Sequence, residues 1–176
     1  KFGGPKGIGA LVLDGDTQLS PLNVGGGQEM GRRSGTENIV GAVGMAAAAA
    51  AALVDLELGV WSQVEELRNI LENSIEEAIG ETTFVGRGSQ RLPNTSLIVN
   101  AGWRGETQVI QLDLAGYAVS AGSACSSGKV RASAVLKSMG YDDEKSSCAL
   151  RVSLGPDTTT EDINGFVKAY CNEGKK

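Results

Sequence analysis

Side chains able to do chemistry stand at widely separated positions in this 176-residue chain. Cys125 lies in Ser120-Ala-Gly-Ser-Ala-Cys-Ser-Ser-Gly128, a stretch in which no residue is bulkier than cysteine. A structural cysteine is normally walled in by branched aliphatics. A thiol set among Ser and Gly belongs on an exposed loop, which suits a thiolate that must reach out, attack and withdraw. The alternative is a Ser-rich linker whose cysteine is incidental. Lys1 opens Lys-Phe-Gly-Gly-Pro-Lys-Gly-Ile-Gly, an amine in a turn-rich segment. This is not a Walker loop, because no Lys-Ser/Thr pair opens a helix after it, and by composition alone such a lysine is simply solvated.

Arg32-Arg33-Ser-Gly-Thr36 closes a glycine-rich stretch over 25–36. It offers guanidinium, hydroxyl and backbone N–H donors just ahead of a helix, a cradle suited to an anion such as phosphate. An ordinary helix start capped by Thr36 or Ser34 fits the same residues. Arg151 sits inside the strand-like Ala149-Leu-Arg-Val-Ser-Leu. A charge among core-like neighbours calls for a carboxylate held by both arms of the guanidinium, supplied by the protein or by a ligand. Cys148 and Cys171 read as packing residues.

There is no histidine, so a Cys–His or Ser–His relay cannot be built from these residues. Activation of the cysteine falls to a lysine, a cofactor or another chain. Three widely separated cysteines without a Cys-x-x-Cys pair argue against zinc and against a disulfide framework, and fit a reducing cytoplasm. A net charge of −5 with no basic stripe argues against nucleic acid. The alanine block Ala46–Ala52 is too short and too weakly hydrophobic to span a bilayer, so no membrane is expected. Nothing resembles a signal peptide, and the absence of an initiator Met points to a processed, cleaved or truncated polypeptide.

The elements that must position these residues follow from pattern. Residues 7–13 read as a buried strand entering a turn at Asp14-Gly15-Asp16. Glu37–Ala52 reads as a helix in which Gly41 and Gly44 permit close backbone approach. Val60, Val64, Leu67, Leu71, Ile75 and Ala78 mark an amphipathic helix, with Ser62-x-x-Glu65 as a capping box and Gly80 as its stop. Whether 38–79 is one bent helix or two stays open. Beyond lie strands at Thr82–Val85 and Thr95–Val99, a helix at Thr107–Leu114 and a strand at Tyr117–Val119. A short helix follows at Ser133–Met139, then a strand at Cys148–Leu154. Thr158-x-x-Glu161 caps a last helix running to Tyr170, with Ile163, Phe166, Val167 and Tyr170 facing inward. Interleaved strands and helices give a layered α/β or α+β fold.

Five segments, in this order, resemble the C-terminal portion of a cysteine desulfurase of the NifS/IscS type. They are Lys1-Phe-Gly-Gly-Pro-Lys-Gly-Ile-Gly-Ala-Leu, Gly25-Gly-Gly-Gln-Glu-Met-Gly-Arg-Arg-Ser-Gly-Thr-Glu-Asn, Arg91-Leu-Pro-Asn-Thr, Ser120-Ala-Gly-Ser-Ala-Cys-Ser-Ser and Leu150-Arg-Val-Ser-Leu-Gly. The resemblance implies an α/β fold: the C-terminal part of a pyridoxal 5′-phosphate (PLP)-dependent transferase, aspartate-aminotransferase-like, of fold type I. Residues 1–55 would end the large PLP-binding domain, and 56–176 would form the small domain carrying the cysteine loop.

By the same resemblance Lys1 holds PLP covalently, and Thr36 with Arg33 reaches the cofactor phosphate of the other subunit of a homodimer. Arg151 grips the substrate carboxylate and Cys125 is the nucleophile. The implied reaction turns L-cysteine into L-alanine and leaves a persulfide on Cys125 for an iron–sulfur scaffold or other sulfur-acceptor protein. The N-terminal half of the same enzyme is an implied partner, and without it the chain is expected to be incomplete and inactive. The alternative is a non-catalytic module for dimerisation or acceptor docking.

Overall fold

Gly59 decides that the two long helical stretches are two helices. α1 spans Ile39–Glu57 and α2 spans Val60–Ile79, and between them Gly59 adopts φ +71°, a left-handed conformation that side chains disfavour and glycine does not. α2 therefore starts at once, without a side-chain cap. Ser62 lies inside the helix, its N–H donating to the Gly59 carbonyl at 3.0 Å, so the expected Ser62–Glu65 capping box does not form. Gly80 does stop α2. This computed structural model describes residues 2–15, 17–122 and 132–174. Two compact units divide the chain, Lys1–Leu58 and Gly59–Lys176.

In the first unit, residues 7–13 form no strand, and only Ile8 and Leu13 are half-buried. The apolar run is strand-like, but a strand exists only where a neighbouring strand takes up its N–H and C=O groups, and none of the described residues of this unit does so. The turn after it does form: the Thr17 N–H donates to the Asp14 carbonyl at 2.9 Å, and the Gly15 N–H to Asp14 Oδ1 at 2.8 Å. α1 is capped by Asn38, whose Oδ1 accepts from the Gly41 N–H at 3.0 Å, rather than by Thr36 or Ser34. The cap must immediately precede the first helical residue, and here that residue is Ile39. Gly44 admits the Pro5 ring, since a Cβ there would lie 2.8 Å from Pro5 Cγ. α1 runs past the alanine block at both ends, and by length and composition it is apolar enough to cross a membrane. This corrects the expectation that no run is.

The second unit holds a four-stranded antiparallel sheet, built from β1 (Thr82–Phe84), β2 (Thr95–Asn100), β3 (Ser120–Ala121) and β4 (Ala149–Ser153) in the order β1-β2-β4-β3. The remaining helices are α3 (Gly105–Leu114), α4 (Ala134–Ser138), α5 (Asp143–Ser147) and α6 (Thr160–Gly174). α2, α3 and α6 cover one face, where Leu71, Ile75, Ile98, Leu112, Leu150 and Phe166 are among the buried core residues. Successive strand residues point to opposite faces, so Val99 and Ala149 build a smaller cluster on the other face with Leu136 of α4 and Cys148. Cys148 and Cys171 are both buried.

Beyond shifts of a few residues at element ends, three features of this unit depart from the sequence reading. The strand expected at Tyr117–Val119 lies at Ser120–Ala121, because Tyr117 is held at the end of α3, its N–H on the Leu112 carbonyl at 2.9 Å and its ring edge-on to Phe166. α5 was not foreseen; Asp142 caps it by accepting from the Lys145 N–H at 2.7 Å. α6 is capped one residue later than expected: Thr159 Oγ1 accepts from the Asp162 N–H and Asp162 Oδ2 from the Thr159 N–H. Thr158 instead accepts from the Gly155 N–H at 2.9 Å. Ile163, Phe166 and Tyr170 do face inward, with Val167 packed beside them.

Candidate active site

In the first unit the chemistry gathers at the turn before α1. The segment is tied across itself: Ser34 donates from both its N–H and Oγ to the Asn23 carbonyl at 3.0 Å, and the Gly35 N–H donates to Gln28 Oε1 at 3.2 Å. Between these ties Glu29 and Met30 take positive φ, +51° and +56°, which costs a non-glycine residue about 1–2 kcal/mol. Arg33 is half-buried. Its Nη1 donates to the carbonyls of Gly35, Ser34 and Thr36 at 2.8, 3.3 and 3.4 Å, and its Nη2 meets Glu29 Oε1 at 3.2 Å. Thr36 is exposed. Among the described residues, no acceptor takes the backbone N–H groups of Thr36 and Glu37. An exposed hydroxyl and two N–H donors at the start of a 19-residue helix can hold an anion.

In the second unit the chemistry gathers on β4. Leu150 and Val152 point into the core, so alternation sends Arg151 to the opposite face, where it is exposed. Leu97 and Ser120 are its neighbours across the sheet. Among the described residues no carboxylate lies within ion-pair distance of it. β4 is braced where it begins. Gln108 of α3 donates to the Cys148 carbonyl at 2.9 Å and to the Trp103 carbonyl at 2.6 Å. Gly122 donates to the Ala149 carbonyl at 2.9 Å and lies so close that a Cβ on it would be 2.7 Å from Ala149 Cβ. The pairing of Ser120 with Arg151 thus sets the root of the 120–128 stretch directly beside that arginine.

Lys1 and Cys125 lie outside the described residues. The structure brings Arg33 and Thr36 into one turn, and aligns Arg151 with Ser120. Pattern reading missed Glu29 and Gln28 as partners within the glycine-rich stretch, and Gln108 as the brace of β4. The spacing of Glu29 and Arg33 was visible in the sequence, but in a segment with no helical periodicity an i,i+4 pair had no reason to meet. No local signal marked Gln108, whose carbonyl partner on Cys148 is 40 residues away.

Residues 1–166 match the aminotransferase class-V family. The chain belongs to that family. Its relatives within it include the cysteine desulfurase IscS of Dictyoglomus turgidum, 39% identical over 164 residues, a match covering 93% of this chain and 41% of the relative. A cysteine desulfurase of Cereibacter sphaeroides is 41% identical over 168 residues, covering 96% and 42%. Among solved structures, a NifS-like protein superposes with a TM-score of 0.84 at 31% identity, over 98% of this chain and 43% of that one. A NifS-like protein from Rickettsia africae gives 0.77 at 30%, over 90% and 41%. This class-V aminotransferase chain therefore spans about two-fifths of the length of these relatives. Its mixed α/β architecture is that of part of the NifS-like fold.

Proposed function

We propose that this chain is the C-terminal part of a PLP-dependent cysteine desulfurase. The first unit is then the end of the large cofactor domain, and the second is the small domain. The observation that best supports the reading is the register of β3 on β4. It sets an exposed arginine, which pairs with no carboxylate among the described residues, beside the root of a Ser- and Gly-rich cysteine segment. A guanidinium in that setting is suited to a substrate carboxylate.

The turn at Thr36 fits the phosphate of PLP on its donor set, a hydroxyl and two N–H groups that have no acceptor among the described residues, just ahead of α1. When bound, the cofactor supplies an electron sink that acidifies the substrate Cα proton. Lys1 moves that proton, and Arg151 orients the substrate by its carboxylate. The thiolate of Cys125 attacks the substrate sulfur: the S–S bond forms, the Cβ–S bond breaks, and Cβ takes up a proton. The sum is L-cysteine plus enzyme thiol giving L-alanine plus enzyme persulfide, balanced in atoms and electrons. The persulfide sulfur then passes to an iron–sulfur scaffold or another acceptor protein, in a cytoplasmic homodimer whose Thr36 turns serve each other's cofactor.

Replacing Cys125 tests the reading. In the full-length gene product, Cys125→Ala is expected to abolish sulfide release from L-cysteine while leaving the absorbance of bound PLP intact. Undiminished release would sink the proposal.

A further inference from the structure

We infer that Arg33 is a positioning residue, shaping the turn that presents Thr36 rather than touching the anion held there. The inference rests on the reading that this turn takes the PLP phosphate. Its basis is how the guanidinium is used. Nη1 is spent on the carbonyls of Ser34, Gly35 and Thr36, and Nη2 on Glu29. An anion at Nη1 would have to displace these carbonyls, and one at Nη2 would have to share that nitrogen with the Glu29 carboxylate.

The consequence for the backbone follows from peptide geometry. In a planar trans peptide the N–H points away from the C=O, and no peptide among the described residues is cis. Turning the carbonyls of Gly35 and Thr36 toward Arg33 therefore turns the N–H groups of Thr36 and Glu37 away from it. Among the described residues neither of these two donors has an acceptor. The N–H that follows the third gathered carbonyl is that of Gly35, and it is taken up by Gln28. One side chain thus sorts the turn into an inner row of carbonyls and an outer pair of donors.

Glu29 completes the device. It holds the left-handed conformation that a non-glycine residue avoids, and its carboxylate pairs with Arg33 at 3.2 Å. The pair is close to neutral, so Arg33 offers little net charge to a phosphate while its hydrogen bonds still fix the turn. A lysine could not replace it, because a single ammonium lacks the planar fork that reaches both Glu29 and the carbonyls.

The sign of the effect at Glu29 separates the two roles. The dissociation constants of PLP and of pyridoxal, which lacks the phosphate, are measured for the full-length protein and for Thr36→Val, Arg33→Ala, Arg33→Lys and Glu29→Gln. If Arg33 positions the turn, Glu29→Gln loosens its hold, and Arg33→Ala, Arg33→Lys and Glu29→Gln each weaken PLP binding about tenfold with pyridoxal binding unchanged. If Arg33 is a direct phosphate ligand, removing Glu29 frees its charge. Glu29→Gln then tightens PLP binding, and that result overturns the proposal. So does an Arg33→Lys protein that binds PLP as the parent does. If none of the four variants, Thr36→Val included, changes PLP affinity relative to pyridoxal, the turn is not a phosphate site. The parent reading then fails and takes this inference with it. Unchanged pyridoxal affinity in each variant also shows that the protein remains folded.

Discussion

The Glu72 carboxylate, 1% exposed, shows what a single residue can do for this fold. Arg91 grips both its oxygens, at 2.7 and 2.6 Å, and Ser96 of β2 donates to Oε1 at 2.6 Å. One side chain on α2 thereby holds both β2 and the segment leading into it. Burial pushes the Glu72 carboxyl up, but the hydrogen bonds from Arg91 and Ser96 and the charges of Arg91 and Arg68 outweigh burial and hold it below its ordinary value of 4.5. The sign of the pH effect follows. The stabilisation is fully present above that ordinary value, and is lost as pH falls from there through the lowered folded value. Glu72→Gln is expected to cost about 3 kcal/mol near neutrality, because it leaves Arg91 half-buried without its counter-charge. Urea unfolding across pH should show that cost shrinking as the medium is acidified below about pH 4. A cost independent of pH would contradict the assignment. Arg91-Leu-Pro-Asn-Thr stands out in the sequence, but the partner of Arg91 is 19 residues upstream and on another element.

Among the elements, β4 matters most, because it carries Arg151 and pairs with both β2 and β3. Its alternation was readable: apolar Leu150 and Val152 enclose the arginine and send it to the opposite face. Its bracing was not. Gly122 and Gly105 both press on Ala149, a Cβ at Gly105 falling 2.7 Å from the Ala149 carbonyl oxygen, and neither glycine has a pattern that announces such contact. Gly122→Ala is expected to destabilise the protein by about 1–3 kcal/mol through overpacking. Adding Ala149→Gly removes the opposing methyl and should recover much of the loss. Chemical denaturation of the single and double variants checks this. A Gly122→Ala protein as stable as the parent would show that β3 does not sit against Ala149 as described.

At the scale of the molecule the two units are unequal. Among the described residues the buried hydrophobic side chains run from Val64 to Cys171, all within Gly59–Lys176. In α1 only Gly41 is buried, while Ile39, Val40, Val43, Leu53 and Leu56 stand exposed. Since folding rests on apolar burial, residues 59–176 expressed alone should unfold in one cooperative urea transition. Residues 1–58 alone should show none. A gradual, non-cooperative loss of structure from 59–176 would contradict the division. The same inequality explains the missing strand at 7–13: its pattern suits a buried strand, but among the described residues of this unit no neighbouring strand completes it.

The sequence alone determined the order of helices and strands in the second unit apart from α5, the inward stripe of α6, and which residue types could bind an anion, grip a carboxylate or act as a nucleophile. Those depend on local periodicity and on side-chain chemistry, which are written residue by residue. Only the tertiary structure decided that Gly59 separates α1 from α2, that Ser120 lies beside Arg151, that Gln108 braces β4, and that Arg33 is turned back onto its own carbonyls. Such facts depend on backbone angles and on partners distant along the chain, and hydrogen bonds and close packing are satisfied in space, not in order of residue number.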